Sequence, residues 1–231
     1  MDRNRSFVFS AVLAASIAAY PDRLLAGMAE GVSRSDAATE HGPSKSPVAE
    51  GVIERYVLDP RGEIEGLLLA DGSHMYVTSR AEKELLRVLT PGDRVRVYGR
   101  RTQNEGLLQA DVIKNLTKGT TFVVPLRLDL PMQEQERRLS VTEMNAKGTI
   151  RVLLYHALRG IVQGMVLSDE TQVRLPPDTS AELRRSLHVG DSVTIRGNGT
   201  TNKFGRAIEA LAIGRDMGSL VPLDASLRGL P

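Results

Sequence analysis

One stretch of this sequence occurs twice. Residues 88–100 read VLTPGDRVRVYGR, and residues 186–198 read SLHVGDSVTIRGN. An internal repeat of this kind indicates that the chain contains two copies of one structural unit, and it does so without any information on function. We therefore expect two copies of one unit, at residues 51–115 and 148–214. With an offset of 98 residues and no insertion, the following positions coincide: Gly66 with Gly164, Asp71 with Asp169, Leu85 with Leu183, Gly92-Asp93 with Gly190-Asp191, Val95 with Val193, and Val97 with Ile195.

Each copy predicts the same order of elements. Copy one has three strand candidates separated by turns at residues 60–62 and 71–72, then a helical stretch, SRAEKELLRVL, that stops at Pro91-Gly92. Two more strands follow, DRVRVYGR and LLQADVIKN, and copy two repeats the plan around a capped helix, TSAELRRSL. Strand, strand, strand, helix, strand, strand in about 65 residues is the order of the OB-fold, a small Greek-key barrel.

The fold class that we predict is mainly β. It consists of two tandem OB-fold-like, five-stranded Greek-key barrels, each with one helix between strands 3 and 4. Val95 and Val97 in copy one, and Val193 and Ile195 in copy two, alternate with polar residues along half-buried strands. We expect these four side chains to face the barrel interiors as core residues.

A set of glycines, turn residues and aliphatic residues in copy one forms the pattern G-x-I…G-x-x-L-x-D-G…L…GD-x-V-x-V-x-G…A-x-x-I. The pattern resembles that of uncharacterised exported bacterial OB-fold proteins, including the small periplasmic OB-fold group. The resemblance implies a fold and, by analogy, roles in envelope stress or in the binding of small charged ligands; it implies no catalytic residue. The residues that form it are Gly51, Ile53, Gly66, Leu69, Asp71, Gly72, Leu86, Gly92, Asp93, Val95, Val97, Gly99, Ala110 and Ile113.

The amino terminus has the composition of an export signal. MDRNR supplies two arginines, and the apolar run SFVFSAVLAASIAA follows, with small residues at positions 16–19. This arrangement is typical of a signal peptide, which we place at residues 1–19; a buried amphipathic helix is the alternative.

Residues 20–50, rich in Gly, Ser and Pro, predict a flexible linker. The expected location is therefore periplasmic or secreted, otherwise cytoplasmic, with no stable membrane span after processing.

The connecting segment, residues 116–147, has two interpretations. TFVVPLRLDLP alternates apolar and polar residues, and the charged MQEQERRLSVTEMNAK follows. The segment is either an added strand that packs on a barrel or pairs with a partner's edge, or a tether that covers the seam between the barrels. The C-terminal tail, residues 215–231, mixes apolar residues with Pro and Gly, and folding back onto the same seam is one interpretation of it.

The composition excludes several kinds of chemistry. The chain has no Cys, so it has no disulfide and no thiolate site, and its four His are scattered. It contains no G-x-S-x-G, no H-E-x-x-H and no phosphate-binding glycine loop of the known forms. Lys and Arg number 30 against 28 Asp and Glu, which is close to balance. We therefore expect no catalytic residue, no metal and no cofactor, and a protein that is not an enzyme.

Four residues of copy one are candidates for ligand binding: Tyr76 on the third strand, and Arg94, Arg96 and Tyr98 on the fourth. OB-folds commonly bind oligonucleotides or oligosaccharides across the second and third strands, and a single-strand binder needs aromatic platforms beside positive charge. The alternative is a solvated face on which Glu63 and Glu65 pair with the arginines.

The sequence predicts a non-enzymatic, exported binding protein of the cell envelope. Its expected partner is an unknown small ligand, a glycan or an envelope protein. The alternative is an OB-fold protein that binds single-stranded nucleic acid through the four candidate residues.

Overall fold

The computed structural model of the chain describes residues 46–77, 81–104, 106–125 and 141–223. The expected signal peptide and most of the expected linker lie outside the described residues. Export therefore stays a prediction. Within the described ranges, no helix has the length and apolar character needed to cross a membrane.

The first barrel has the strand order of an OB-fold. Strands β1 (Ala49–Leu58), β2 (Ile64–Leu69) and β3 (His74–Tyr76) form an antiparallel meander, β4 (Arg94–Arg101) pairs with β1, and β5 (Leu108–Asn115) pairs with β4. The barrel closes where the N–H of His74 donates to the carbonyl oxygen of Gly106 at 2.7 Å. The elements are β1 (Ala49–Leu58), β2 (Ile64–Leu69), β3 (His74–Tyr76), α1 (Glu82–Val88), β4 (Arg94–Arg101), β5 (Leu108–Asn115) and an added β6 (Thr120–Val123).

The second barrel repeats this order, so the predicted fold class is confirmed. It closes through parallel pairing of β9 with β11, in which Gln172 lies opposite Ala207. Ser180 caps its helix by accepting a hydrogen bond from the N–H of Leu183 at 3.3 Å. The elements are β7 (Thr142–Tyr155), β8 (Val162–Leu167), β9 (Gln172–Arg174), α2 (Ala181–Ser186), β10 (Ser192–Asn202), β11 (Gly205–Gly214) and β12 (Val221–Pro222).

The barrel cores contain the aliphatic residues that alternate in the sequence. Val95, Val97 and Ile195 are completely buried, and Val193 is nearly so, which confirms the prediction. Burial of one such side chain stabilises the fold by about 1.5–3 kcal/mol. These positions are therefore structural.

The repeated Gly-Asp pair holds a turn in each barrel. The Asp93 carboxylate accepts a hydrogen bond from the N–H of Thr90 at 2.8 Å, and the Asp191 carboxylate accepts one from the N–H of His188 at 2.8 Å. A carboxylate that satisfies a backbone donor in this way fixes the turn before the fourth strand of its barrel. The repetition of this pair thus reflects turn geometry and needs no catalytic explanation.

The turn after the second strand also has the same form in both copies, although the sequences differ there. Gly72 has φ of 85°, and Glu170, at the aligned position, has φ of 72°. A left-handed conformation favours glycine and costs other residues about 1–2 kcal/mol. Glu170 adopts it while its side chain forms ion pairs with Arg55 and Arg151.

The segments beyond the two copies add strands to the barrels. β6 lies inside the connecting segment and pairs antiparallel with β5, while Phe122 is completely buried. β12 lies in the C-terminal tail and pairs with β11 in the same way. Of the two interpretations of the connecting segment, residues 120–123 follow the first, an added strand, and this strand joins the protein's own barrel. β7 begins at Thr142, within the same segment, because β10 is long enough to pair with it up to Gly199.

Candidate ligand-binding face

Strand β4 brings together three of the four candidate residues. Its side chains alternate, so Val95 and Val97 point into the barrel while Arg94, Arg96 and Tyr98 point outward. Arg100, the next residue in this alternation, is exposed and donates to the Gln109 side chain at 3.0 Å.

Glu50 on β1 links the two arginines nearest to it. Its carboxylate oxygens lie 2.8 Å from Arg94 Nη2 and 2.7 Å from Arg96 Nη2. The hydrogen bond from Arg96, and then that from Arg94, hold the pKa of Glu50 below its ordinary value. The same carboxylate raises the pKa of Arg96, with a smaller contribution from Tyr98. One carboxylate thus neutralises part of the charge of two arginines.

A further cation lies beside Tyr98. Lys114 on β5 places its Nζ 5.1 Å from the centre of the Tyr98 ring, within the range of a cation–π contact. We use the term basic face for the outward surface formed by Glu50, Arg94, Arg96, Tyr98, Arg100 and Lys114. The face carries four cations against one carboxylate, next to one aromatic ring.

The second barrel does not reproduce the basic face. The residues aligned with Arg94, Arg96, Tyr98 and Arg100 are Ser192, Thr194, Arg196 and Asn198. Only one of the four carries a charge. The basic face is therefore a property of the first barrel and is not required by the fold.

Tyr76 lies apart from the other three candidates. It is on β3, which is not adjacent to β4 in the sheet. Its ring packs against a cluster of buried residues contributed by both barrels, Val57, Leu68, Leu154 and Val166. Tyr76 is thus part of the contact between barrels, and the structure does not place it on the basic face.

The expected pairing of Glu63 and Glu65 with the arginines of β4 is wrong. Strand β1 lies between β2 and β4, and it presents Glu50 to those arginines instead. Glu65 pairs with Arg174 of the second barrel.

The two barrels contact each other through the surfaces that OB-folds commonly use for ligands. Those surfaces are the second and third strands with the loops after the first and fourth. Leu68 on β2 packs with Val166 on β8, and both side chains are completely buried. The long β10–β11 hairpin reaches the first barrel, where Phe204 packs edge-on against Tyr56 with 5.4 Å between ring centres. The completely buried part of these surfaces is closed to an extended ligand while the barrels stay together.

The contact between the barrels is self-complementary. Gln172 accepts a hydrogen bond from the N–H of Leu58 at 2.9 Å and donates to the carbonyl of Tyr56 at 3.0 Å. His74, aligned with Gln172, accepts from the N–H of Tyr155 at 3.0 Å, and Tyr155 aligns with Leu58. Equivalent residues therefore make equivalent contacts in both directions, as in an isologous dimer interface.

Glycines let the loops of one barrel approach the other closely. The Asn202 amide donates to the carbonyl of Gly62 at 2.8 Å. A Cβ atom at Gly160 would lie 2.6 Å from the amide nitrogen of Asn104, and Gly62 and Gly160 occupy aligned positions. A Cβ atom at either glycine would displace the facing Asn side chain, and the φ of 82° at Gly62 and 63° at Gly160 disfavours other residues there.

Sequence reasoning missed Glu50 and the contact between barrels. Glu50 precedes the first predicted strand, and only the register of β1 against β4 shows that it lies opposite Arg96. One signal was present for the interface: His74 and Gln172 are polar residues at aligned positions beside apolar neighbours. In the described part of the chain, no three His, Asp or Glu side chains form a group that could hold a metal ion.

No family model and no curated protein matches this chain. Two solved structures of the single-stranded DNA binding protein from Thermus aquaticus are similar to it. The wild-type structure is 15% identical, has a TM-score of 0.24, and is matched over 77% of this chain and 95% of that chain. The structure of a deletion mutant is 16% identical, has a TM-score of 0.24, and is matched over 76% and 95%. At these TM-scores neither structure bears on the function of this chain.

Proposed function

We propose that this protein is a non-enzymatic binding protein that takes an anionic ligand on the basic face of its first barrel. The observation that carries the proposal is the outward row of Arg94, Arg96, Tyr98 and Arg100 on one strand, with Lys114 beside it. The contact between the barrels does not cover this row, whose Arg94 and Arg100 are exposed to solvent. The lack of any catalytic motif in the sequence supports binding rather than a reaction.

The place of action that we propose is the cell envelope, after removal of residues 1–19. The support is the charge and hydropathy pattern of the amino terminus. Expression of the full chain in a bacterium, followed by fractionation and sequencing of the mature amino terminus, tests it. Export predicts a periplasmic or secreted product that starts after residue 18 or 19; an intact Met1 in the cytoplasm would contradict it.

A second candidate ligand is single-stranded nucleic acid. The observation that favours it is the position of Tyr98 next to Arg96, since a base can stack on an aromatic ring while arginines contact phosphates. Stacking contributes about 1–3 kcal/mol per base. The support for this candidate is one ring, Tyr98, rather than the expected pair with Tyr76.

A binding experiment with two polyanions separates these ligands. Fluorescence anisotropy, at several salt concentrations, would measure the affinity of the full chain for a labelled oligo-dT and for inorganic polyphosphate. The double variant R94A/R96A should bind both more weakly and with a smaller salt dependence. The matched control is R185A, which removes an exposed arginine of α2 in the second barrel.

The variant Y98L then identifies the ligand class. A loss of oligo-dT affinity with unchanged polyphosphate affinity would support nucleic acid. Equal affinities in Y98L and in the original protein would support an anionic ligand that does not stack. If R94A/R96A binds as well as R185A does, the basic face is not the binding site.

A further inference from the structure

A cleft lies at the seam between the two barrels, away from the basic face. Its volume is about 540 Å³. The β1–β2 loop contributes Asp59, Pro60 and Arg61, and the β7–β8 loop contributes His156, Ala157, Arg159 and Ile161. Helix α2 contributes Arg184, one of four arginines in the lining. A cavity of this size can hold a small organic molecule.

Arg184 is a buried cation with no acidic partner. Its residue is 6% exposed, and its guanidinium donates to the carbonyl oxygens of Val162, Pro176, Pro177 and Thr179. Among the described residues, no carboxylate lies within 4.0 Å of it. A buried charge is costly unless an opposite charge compensates it.

The fold itself does not require a cation at this position. Leu86 is the residue of the first copy that aligns with Arg184, and it packs against the core of its barrel. The same helix thus packs with an apolar side chain in one barrel and with an arginine in the other. In the second copy the arginine satisfies backbone carbonyls of residues 176–179 and of Val162, and it leaves a positive charge at the wall of the cleft.

Arg159 brings a second cation to the same cleft. It lies on the exposed β7–β8 loop and forms no ion pair with any residue of the described ranges. Burial, and then the nearby charge of Arg159, lower the pKa of Arg184. The two guanidinium groups repel each other, since no carboxylate in the described part of the chain is paired with either of them. Binding of an anion between them would offset this repulsion.

The lining of the cleft carries four arginines against three carboxylates, those of Asp59, Glu65 and Glu209. Asp59 accepts hydrogen bonds from the N–H groups of Arg61 and Glu63, at 3.0 and 2.8 Å. Glu65 is paired with Arg174. Glu209 is the one lining carboxylate that forms no hydrogen bond or ion pair with the described residues.

We propose that this cleft binds a small organic anion, whose carboxylate or phosphate group lies between Arg159 and Arg184. Arg159 can present paired N–H donors to either group. Arg184 donates to four carbonyl oxygens, so its contribution to binding is mainly its positive charge. Leu175 and Pro177, which also line the cleft, provide apolar surface for the body of the ligand. The site is independent of the basic face, since it lies on the second barrel's helix and on the seam.

The test is a titration of the full chain, labelled with ¹⁵N, with citrate and with inorganic phosphate at constant ionic strength. We expect saturable shifts of amide signals in residues 158–163 and 178–184 with at least one of the two probes. R159A should weaken that binding at least tenfold, whereas the control R185A, which removes the neighbouring exposed charge of α2, should leave it within twofold. R94A/R96A should also leave it unchanged, which separates this site from the proposed function.

A second variant uses the first copy as a guide. R184L replaces Arg184 by leucine, the residue at the aligned position 86 of the first copy. The melting temperature of R184L reports whether the second barrel tolerates this change. A folded R184L that no longer responds to the probe supports the site. The proposal is overturned if neither probe gives saturable shifts, if R159A binds as the original protein does, or if the shifts spread over all exposed arginines.

Discussion

His74 of the first barrel accepts a hydrogen bond at Nε2 from the backbone N–H of Tyr155 in the second barrel, 3.0 Å away. The two rings are stacked, with 6.2 Å between their centres. Because His74 is completely buried, the neutral imidazole is the form that fits this contact. Protonation would place a second donor opposite the N–H of Tyr155.

Stability should therefore fall between pH 6.5 and about 4. Burial is the main cause that lowers the pKa of His74 from 6.5 to about 4. Within this window the unfolded chain binds a proton that the folded chain does not, so the free energy of unfolding decreases as the pH decreases. The full effect is about 3 kcal/mol, present above pH 6.5 and lost near pH 4. Urea unfolding at a series of pH values measures it.

The variant H74Q is the control for this pH dependence. Glutamine occupies the aligned position 172, where it accepts from a backbone N–H without titrating. H74Q should keep the hydrogen bond from the N–H of Tyr155, and its free energy of unfolding should change less between pH 6.5 and 4 than that of the original protein. An unchanged slope in H74Q would show that another group is responsible.

The contact between barrels should be sensitive to a single truncation. Leu68 is completely buried, and it belongs to the cluster shared with the second barrel. L68A should lower the free energy of unfolding by about 2–5 kcal/mol, because it removes contacts and leaves a cavity. V123A on β6, where the residue is 64% exposed, should change it by less than about 0.5 kcal/mol. Equal effects of the two variants in calorimetry would contradict the buried interface.

An ion pair across the interface should be visible in the titration of Glu54. The hydrogen bond from Arg151 is the main cause that holds the pKa of Glu54 below its ordinary 4.5, and Arg55 contributes less. In R151M the pKa of Glu54 should rise, as followed by ¹³C NMR of the side-chain carboxyl group. R185M should leave it unchanged. A Glu54 pKa that is the same in R151M would mean that the barrels do not pair there in solution.

Removal of the carboxylate of Glu50 should strengthen anion binding by the basic face. Glu50 neutralises part of the charge of Arg94 and Arg96. E50Q should bind polyphosphate more tightly and with a steeper dependence on salt, in the same anisotropy assay. An exposed carboxylate elsewhere provides the control: E182Q on α2 should bind as the original protein does. Weaker or unchanged binding by E50Q would contradict the role of these arginines.

The sequence predicted the barrels well because a repeat and period-two alternation determine local structure. Val95 and Val97 face inward because adjacent side chains of a strand point to opposite faces. Gly72 and Glu170 show the limit of such reasoning. The same left-handed turn forms in both copies, although only the first copy has glycine there. In this case tertiary contacts of the second copy outweigh the local preference.

The candidate site was predicted only in part. Alternation along one strand correctly placed Arg94, Arg96 and Tyr98 on one face. Tyr76 is on another strand, and its surroundings depend on how the barrels pack, which no local pattern encodes. The same is true of Glu50, whose position opposite Arg96 follows from strand register.

The most direct test of the account is a map of polyphosphate binding on the full chain by amide chemical shifts. The account predicts changes along residues 94–101 and at Lys114, with none at Leu68 or Val166, because these two residues are completely buried between the barrels. Changes concentrated on β2, β3, β8 and β9, or no change anywhere, would contradict it.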